Sequence, residues 1–241
     1  MRASNQKERK ITEIENSIEC IILGRINRFV VDITIGDTLY RAYINNTGRL
    51  SGYLTRGKKG FCIKNEKPRK TDYRLFSIRE NALGAIIDTQ LQMKNFERAL
   101  EARFIPWLRE CRILRRNPKL GRSLIDYLLE CGGEPVYVEV KSAVLRKEKY
   151  AMYPDCPSSR GRRQIRDLTN HVEKGGKAMI LFIAALPEVE AFKPNRDADP
   201  EMYKLLLEAH RSGVEMKSIG LHYSPEDSSI YLFNPDLEVI L

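Results

Sequence analysis

The sequence predicts an α/β (α+β) protein in which a small all-β unit precedes a domain built around a mixed sheet. Two observations support this fold class. Residues 17–78 contain five short runs rich in β-branched and aromatic residues, separated by turn-forming sequences. After residue 82, strand-like apolar runs are interspersed with segments of helical periodicity, as expected for a mixed sheet with helices. We therefore predict two domains, residues 1–82 and 83–241.

The first domain is predicted to be a small barrel. Its five runs are SIECIILGRI, FVVDITI, TLYRAYI, KGFCIK and DYRLFSI, and the turns between them include NNTG, RGKKG and NEKPRK. Short strands joined by such loops favour a small barrel such as an OB-fold. Barrels of this kind often bind oligonucleotides, although a fold alone does not determine a function.

Three helices and several strands are predicted in the second domain. Apolar residues recur at helical spacing over 86–110, where Pro106 ends or kinks the helix. A second helix is predicted over 160–174, and a third over 199–212 with Asp199 as its N-cap. The predicted strands are CRILRR, SLIDYLLE, PVYVEVKSAVL, KYAMY, AMILFIAAL, VEMKSIGLHY and SSIYLF.

Composition narrows the class of partner. The net charge is +9 and the pI is about 9.3, which favours a polyanion or an anionic surface as partner. The longest apolar run, 178–186, suits a buried strand and is too short to cross a membrane. The N-terminal sequence lacks the apolar core of a signal peptide. We therefore expect a cytoplasmic protein that does not bind membranes.

The cysteines and histidines predict no metal cluster. The five cysteines are scattered without zinc-like spacing, and the three histidines are far apart in the sequence. We expect the cysteines to be reduced structural thiols.

The stretch VYVEVKSAVL at 136–145 has the pattern of a buried strand but carries an acid and a base. Glu139 and Lys141 are two residues apart and therefore share a face. The preceding run carries one acid, Asp126, and Cys-Gly-Gly between the runs allows a hairpin that brings the two carboxylates together. Two carboxylates and a carbonyl such as that of Val140 suit Mg²⁺ or Mn²⁺, and Lys141 would assist a bound water. The alternative is a solvated surface ion pair, which is common and weak.

Basic residues concentrate near both predicted functional regions. From Arg56 to Arg74 there are eight Lys or Arg and two acids, and RRNPK and RGRRQIR add further clusters at 115–119 and 160–166. Contacts of such residues with phosphate give affinity without reading sequence. Four aromatic residues are candidates for stacking on single-stranded bases, with burial in the barrel core as the favoured alternative for each. They are Tyr40, Tyr43, Tyr53 and Phe61.

Several segments together resemble the sugar fermentation stimulation protein family, SfsA. The matching segments are NNTGRL, IDYLLE, YVEVKSAVL, and YPDCPSSRG with the helix after it. The resemblance spans most of residues 20–235. It implies an N-terminal OB-fold followed by a domain resembling PD-(D/E)xK nucleases, and a protein that binds DNA or cleaves DNA or RNA.

The resemblance also implies roles for individual residues. The nuclease motif maps to Asp126, Glu139 and Lys141, with the two acids as metal ligands. The segment resembling PDAxxxRG maps to Asp155, Arg160 and Gly161. Arg160 is then a candidate phosphate contact at a helix start, where backbone N–H groups also favour anions. A solvated first-turn arginine is the alternative.

The sequence departs from the family pattern at a few positions. Gln164 stands where the family carries a histidine, Leu124 stands where a basic residue is common, and Ile44-Asn45 replaces Cys-Pro. These changes leave the two acids and the lysine intact. Gln164 remains a weak candidate, able to hydrogen-bond a phosphate or a water.

Two hypotheses follow. The leading one is a metal-dependent nuclease that hydrolyses phosphodiester bonds of DNA or RNA with Mg²⁺ or Mn²⁺. The rival is a non-catalytic, regulatory DNA-binding protein on a nuclease-like scaffold. The candidate nucleic-acid-binding residues are Arg49, Arg56, Lys58, Lys59 and Arg160. Substrate preference and oligomeric state, including a homodimer, remain open.

Overall fold

The computed structural model describes residues 8–66 and 70–241 of the 241-residue chain. The chain divides into two compact units. The N-terminal unit comprises Met1–Phe96, Ala185–Glu188 and Leu221–Asn234, and the C-terminal unit comprises Glu97–Ala184, Val189–Gly220 and Pro235–Leu241. The boundary expected between residues 82 and 83 stays a prediction.

The described residues form nineteen strands and three α-helices. In chain order the first seven strands are β1 (Arg9–Glu13), β2 (Ile18–Asn27), β3 (Val30–Ile35), β4 (Thr38–Tyr43), β5 (Lys59–Lys64), β6 (Tyr73–Glu80) and β7 (Leu83–Ile86). Helix α1 (Thr89–Glu101) and a 3₁₀ turn (Pro106–Leu108) follow. Next come β8 (Cys111–Arg116), β9 (Lys119–Leu120), β10 (Ser123–Leu124), β11 (Tyr127–Cys131), β12 (Glu134–Ser142), β13 (Leu145–Lys147) and β14 (Tyr150–Tyr153). The last elements are α2 (Ser159–Glu173), β15 (Lys177–Ala184), β16 (Ala191–Pro194), α3 (Pro200–Arg211), β17 (Glu215–Ser224), β18 (Ser229–Asn234) and β19 (Glu238–Val239).

Five strands of the N-terminal unit close into a barrel. Strand β2 pairs antiparallel with β3 and β5, β3 pairs with β4, and β5 pairs with β6. A parallel pairing of β4 with β6 completes the circle. The interior is apolar because alternate residues of each strand point inward, and seven of them are at most 1% exposed. These seven are Cys20, Ile22, Val31, Ile33, Ala42, Cys62 and Leu75. The predicted barrel is confirmed.

The NNTG loop of the barrel is attached to the start of α1. The Asn45 side chain accepts a hydrogen bond from the Thr89 N–H (2.9 Å) and donates one to Asp88 Oδ1 (2.6 Å). Asp88 in turn accepts the Leu91 N–H (2.8 Å) and caps the helix, while Arg74 forms an ion pair with the same carboxylate. This loop therefore does more than turn the chain, because Asn45 accepts the Thr89 N–H and hydrogen-bonds to Asp88, which caps α1.

The C-terminal unit is built on the predicted mixed sheet. Strand β11 pairs antiparallel with β8 and β12, whereas β12, β15 and the first part of β17 run parallel. Strands β13, β14, β16 and β19 form a second sheet. The Ser158 hydroxyl caps α2 by accepting the Gly161 N–H (3.0 Å), and Asp199 caps α3 as predicted.

Several element boundaries differ from the prediction. The helix expected over 86–110 is the shorter α1, because Ile86 belongs to β7 and Arg103 adopts a positive φ of 56° after the helix. The run SLIDYLLE is split into β10 and β11, with Ile125 and Asp126 between them. The run FVVDITI enters the barrel at Val30, which leaves Phe29 in the turn before β3.

The cysteines are not all reduced. Cys111 and Cys131 form a disulfide between β8 and β11, so the expectation of free thiols was wrong for this pair. Cys20 and Cys62 lie inside the barrel with their sulfur atoms 3.1 Å apart. Among the residues described, no helix is both long and apolar enough to span a bilayer. The expected cytoplasmic location stays a prediction.

Candidate active site

The β11–β12 hairpin brings Asp126 to Glu139. Tyr127, the first residue of β11, pairs with Val138, so Asp126 lies opposite Glu139 at the end of the ladder. The peptide N–H of Val140 donates a hydrogen bond to Asp126 Oδ2 (2.8 Å). The two carboxylates therefore meet at the carboxyl end of β12, as the hairpin interpretation expected.

Lys141 is held inside this cluster by two acceptors. Its ammonium donates to Glu139 Oε1 (2.7 Å) and to Gln164 Oε1 on α2 (3.0 Å), and the Gln164 amide N–H₂ donates to the Leu124 carbonyl (3.0 Å). Glu139 is 2% exposed and Lys141 is 6% exposed. The alternative of a solvated surface ion pair is therefore wrong. Gln164 belongs to the cluster, and its amide is hydrogen-bonded to Lys141 and to the Leu124 carbonyl.

One oxygen of Glu139 lacks a protein partner. Oε2 is buried and accepts no hydrogen bond from the described part of the chain. Leaving a buried carboxylate oxygen unsatisfied is costly, so such groups call for an explanation. Together with the Asp126 carboxylate, this oxygen offers the hard ligands that Mg²⁺, Mn²⁺ or Ca²⁺ prefers. The residues present therefore fit a divalent cation.

Few protein side chains are available to coordinate a divalent cation at this site. No group of three or more His, Cys, Asp or Glu within residues 8–66 and 70–241 could hold a metal ion. The remaining positions around a cation at Asp126 and Glu139 would fall to a backbone carbonyl, water or phosphate oxygens. Mg²⁺ is commonly bound in this way, with one or two carboxylates and the substrate.

Burial perturbs all three ionisable groups. Burial raises the pKa of Glu139 to about 7, against the opposing charge of Lys141. Burial also raises the pKa of Asp126, although the Val140 N–H, Lys141 and Arg160 oppose it. Burial acts to lower the pKa of Lys141, but neighbouring Tyr153, Glu139 and Asp126 outweigh it and the pKa is raised. Lys141 therefore stays protonated, and a further positive charge close to the two acids would favour their ionised forms.

The first turn of α2 closes one side of the cluster. Arg160 is exposed there, and its charge lowers the pKa of both Asp126 and Glu139, so it lies within electrostatic reach of them. Gly161 allows the turn to approach closely, because a Cβ at this position would lie 3.0 Å from Tyr153 Oη and 2.9 Å from Met202 Cε. In the RG segment, Arg160 thus places a positive charge near the two acids, and Gly161 lets the helix turn pack closely against Tyr153 and Met202.

Tyr153 is a member of the cluster that the sequence interpretation missed. Its ring centre lies 5.9 Å from Lys141 Nζ, and burial raises its pKa. Asp155, two residues further on, also raises the pKa of Tyr153. The signal in the sequence was the position of Tyr153 at the start of YPDCPSSRG, beside the residues already singled out.

The nucleic-acid-binding candidates of the N-terminal unit fall into two groups. Lys58 donates to the Gly52 carbonyl (2.7 Å), and Lys59 forms an ion pair with Glu19 (2.8 Å). Arg49 and Arg56 are exposed, and their side chains make no hydrogen bond or ion pair with the residues described. Lys67 and Arg69 of the basic stretch lie outside the described residues.

The four aromatic candidates for base stacking differ in exposure. Tyr53 and Phe61 are 5% and 3% exposed and belong to the core, as the favoured alternative held. Tyr40 packs edge-on against Tyr73 at 5.1 Å between ring centres. Only Tyr43 has a half-exposed ring that is stacked on another partly exposed ring, that of Phe29.

Comparison with known proteins agrees with these observations. The model of the "Sugar fermentation stimulation protein RE domain" matches residues 90–227, and that of the "SfsA N-terminal OB domain" matches residues 23–87. A sugar fermentation stimulation protein homolog of Pyrococcus furiosus is 46% identical over 222 residues, covering 92% of this chain and 96% of the relative. A homolog of Archaeoglobus fulgidus is 46% identical over 232 residues, covering 96% and 100%.

A solved structure also matches nearly the whole chain. It is described as the structure of Pyrococcus furiosus SfsA in complex with Ca²⁺, and it superposes with a TM-score of 0.92 at 43% sequence identity. The match covers 97% of this chain and 100% of that one. The chain therefore belongs to the sugar fermentation stimulation protein (SfsA) family, with an N-terminal OB-fold barrel and a C-terminal restriction-endonuclease-like domain.

Proposed function

We propose that this protein is a metal-dependent nuclease that hydrolyses phosphodiester bonds of DNA or RNA. The observation that supports this most strongly is the cluster of the partly buried Asp126 with the buried Glu139 and Lys141, in which Glu139 Oε2 has no partner among the described residues. A buried ion pair is weak evidence of a stabilising role, and an unsatisfied carboxylate oxygen beside it lowers stability further. A binding protein without catalysis has no need of this arrangement.

Asp126 and Glu139 would hold Mg²⁺ or Mn²⁺. When bound, the cation would polarise a phosphate oxygen and lower the pKa of a bound water. The Ca²⁺ in the structure of Pyrococcus furiosus SfsA supports a divalent-cation site in this family. Ca²⁺ shares the preference of Mg²⁺ for oxygen ligands, although it accepts a larger and more flexible coordination shell.

Lys141 acts as a cation and hydrogen-bond donor rather than as a base, because its raised pKa keeps it protonated. An ammonium has three N–H donors, and Glu139 and Gln164 take two of them among the residues described. The third donor is available for the attacking water or for a phosphate oxygen on which negative charge develops. Gln164 contributes by fixing the position of Lys141 through the Leu124 carbonyl.

Exposed arginines supply affinity for the nucleic-acid strand. Arg160 stands at the first turn of α2, and its charge opposes the burial that raises the pKa of both carboxylates. Arg49 and Arg56 on the barrel are exposed, and the chain as a whole carries a net charge of +9. Such contacts position a phosphate backbone without reading its sequence.

The test is a cleavage assay on end-labelled single- and double-stranded DNA and RNA with Mg²⁺, Mn²⁺ or chelator. The variants are Asp126→Asn, which preserves shape, Lys141→Gln, which removes the charge but stays polar, and Glu134→Gln as the matched control. Glu134 lies on β12 with Glu139, but it is exposed and forms an ion pair with Lys177. We expect metal-dependent cleavage by the wild type and the control that is lost in both site variants.

A second readout tests the metal site without activity. Ca²⁺ should raise the melting temperature of the wild type and of Glu134→Gln, but not that of Asp126→Asn, because a ligand that binds only the folded state stabilises it. If no substrate is cleaved and salt-sensitive binding is the same in every variant, the nuclease proposal is wrong. The protein would then be a nucleic-acid-binding protein without catalysis.

A further inference from the structure

The turn between β2 and β3 exposes large apolar side chains. Ile26 is 56% exposed and Phe29 is 44% exposed, and both belong to the few large hydrophobic residues that the described chain leaves at its surface. The Phe29 ring stacks on the half-exposed Tyr43 ring, with centroids 6.5 Å apart and planes inclined by 21°. Two nearly parallel rings at the surface form a contiguous feature, unlike a single exposed leucine, and call for an explanation.

Arg25 fixes the backbone around these rings. Its guanidinium donates to the Arg28 carbonyl (2.7 Å) in the turn and to the Arg49 carbonyl (3.0 Å) in the following loop. It also donates to the carbonyls of Gly48 and Asn46. One side chain thus ties the β2–β3 turn to the NNTGR loop, so the side chains of Arg28 and Arg49 start from neighbouring backbone positions.

The charge of this surface has one sign. Residues 25–30 and 43–49 contain three arginines and no acid. Arg25 is bound to carbonyls, but the Arg28 guanidinium lies over the Phe29 ring at 5.7 Å, and Arg49 is exposed without a side-chain partner in the described chain. Two aromatic rings are therefore flanked by two arginines whose charges no carboxylate neutralises within these segments.

Rings and arginines in this arrangement match the chemistry of single-stranded nucleic acid. Aromatic side chains stack on base faces, and arginines bind the phosphates between the bases. In a duplex the base faces are covered by their neighbours, so this stacking requires an unpaired strand. An apolar protein partner would not need the two arginines, and an acidic one would not need the parallel rings.

We propose that Phe29, Tyr43, Arg28 and Arg49 form a base-stacking site for single-stranded DNA or RNA. This stacking site rests on the proposed function only in that the protein must bind nucleic acid, and it does not depend on catalysis. The site adds a preference for unpaired bases to the sequence-independent phosphate contacts.

The test measures binding, with chelator present, to two fluorescein-labelled oligomers of equal length: oligothymidylate and its abasic analogue. The analogue keeps every phosphate but has no bases. Phe29→Ala should weaken binding of oligothymidylate about 5- to 150-fold, because stacking on one aromatic ring contributes about 1–3 kcal/mol per base. Its binding of the abasic oligomer should be unchanged. Leu39→Ala is the matched control, since Leu39 is 61% exposed on the same barrel but outside the stacking site.

Two further variants separate stacking from charge and from folding. Phe29→Trp should keep the affinity, and oligothymidylate should quench its fluorescence, whereas the wild type has Trp107 alone. Arg28→Gln with Arg49→Gln should weaken binding of both oligomers and reduce the salt dependence, by about 0.7 in the log–log slope for each phosphate that an arginine no longer neutralises.

The outcomes distinguish this inference from the function proposed above. If the wild type binds both oligomers equally and Phe29→Ala changes neither affinity, the stacking site is wrong, while nucleic-acid binding and the nuclease proposal stand. If the wild type binds neither oligomer nor any other nucleic acid, the proposed function fails and the stacking site with it.

Discussion

The C-terminal unit holds two aspartates in different surroundings: Asp199, the buried cap of α3, and the partly buried Asp126 of the candidate active site. Asp199 is fully buried, and both of its oxygens accept hydrogen bonds, from the Met202 N–H (2.9 Å), the Ser158 N–H and the Arg162 guanidinium. Its pKa is lowered because these partners outweigh burial. Asp126 accepts one backbone N–H, and its pKa is raised because burial outweighs its partners.

The difference separates an acid that stabilises the fold from one to which we assign a role in the proposed reaction. The partners of Asp199 join the starts of α2 and α3, and every one of them favours the charged form. The cluster at Asp126 leaves Glu139 Oε2 unsatisfied in the described chain and raises the pKa of both acids. Raised pKa values and an unsatisfied oxygen are what the proposed cation site would need, because a bound cation would favour the charged form of both acids.

The largest expected effect is that of Asp126→Asn, which should lose cleavage activity without losing stability. Cleavage should fall at least about 100-fold, because substituting even a residue that only hydrogen-bonds to a metal ligand lowers activity or metal affinity by about 10–100-fold. The melting temperature in chelator should stay the same or rise, because the amide still accepts the Val140 N–H and no charge is buried. Parallel measurement of cleavage and thermal unfolding checks this. A large loss of stability would place Asp126 with the structural acids instead.

Asp199→Ala should show the opposite behaviour: a loss of stability with little loss of cleavage activity. The variant loses a helix cap and the partner of Arg162, so the free energy of unfolding should fall by roughly 2–4 kcal/mol. Denaturant unfolding measures this loss. Cleavage per folded molecule, assayed well below the new melting temperature, should change far less than in Asp126→Asn. Equal losses of activity in the two variants would remove the distinction between the two acids.

The meeting of Asp126, Glu139 and Lys141 could be predicted because it depends on local rules. Residues two apart on a strand share a face, and Cys-Gly-Gly fixes the hairpin that places Asp126 opposite Glu139. The barrel was predictable for the same reason, since its short runs show β propensity and are separated by recognisable turns.

Other features could not be predicted because they join residues that no local pattern relates. The pairing of Cys111 with Cys131 depends on the β8–β11 register, which the sequence spacing does not reveal. Arg25 contacts carbonyls more than twenty residues away, and any sequence could supply those acceptors. Phe29 would point inward if the strand alternation of Val31 and Ile33 extended to it, but the strand begins one residue later and Phe29 is exposed.

The two aspartates should also respond to pH in opposite directions. Each has an ordinary pKa of 3.8. The raised pKa of Asp126 means that the folded state prefers its protonated form, so stability falls as pH rises from 3.8 through the folded pKa. The lowered pKa of Asp199 stabilises the fold above pH 3.8, and this contribution is lost as pH falls through its folded pKa.

Melting curves in chelator over a series of pH values measure both contributions. Relative to wild type, Asp126→Asn should gain stability as pH rises above 3.8, and the deficit of Asp199→Ala should shrink below that pH. Slopes of the same sign for both variants would contradict the assignment of opposite pKa shifts. Glu134→Gln, with an exposed carboxylate, serves as the control for general surface charge.

The smallest expected effect concerns Tyr153. It tests whether this residue only positions Lys141 or also contacts the reacting atoms. Tyr153→Phe removes only the hydroxyl of a partly buried ring near Lys141 and keeps the packing of the ring on Phe182. We expect a decrease in the cleavage rate of a few-fold, with metal binding unchanged, because the hydroxyl interacts more strongly with Lys141 than with Glu139. Tyr150→Phe is the matched control, since Tyr150 lies on the same strand beside the Lys193 ammonium (3.9 Å) but outside the cluster. A loss as large as that of Asp126→Asn would mean that the hydroxyl contacts the reacting atoms, and an effect no greater than that of Tyr150→Phe would leave Tyr153 as packing alone.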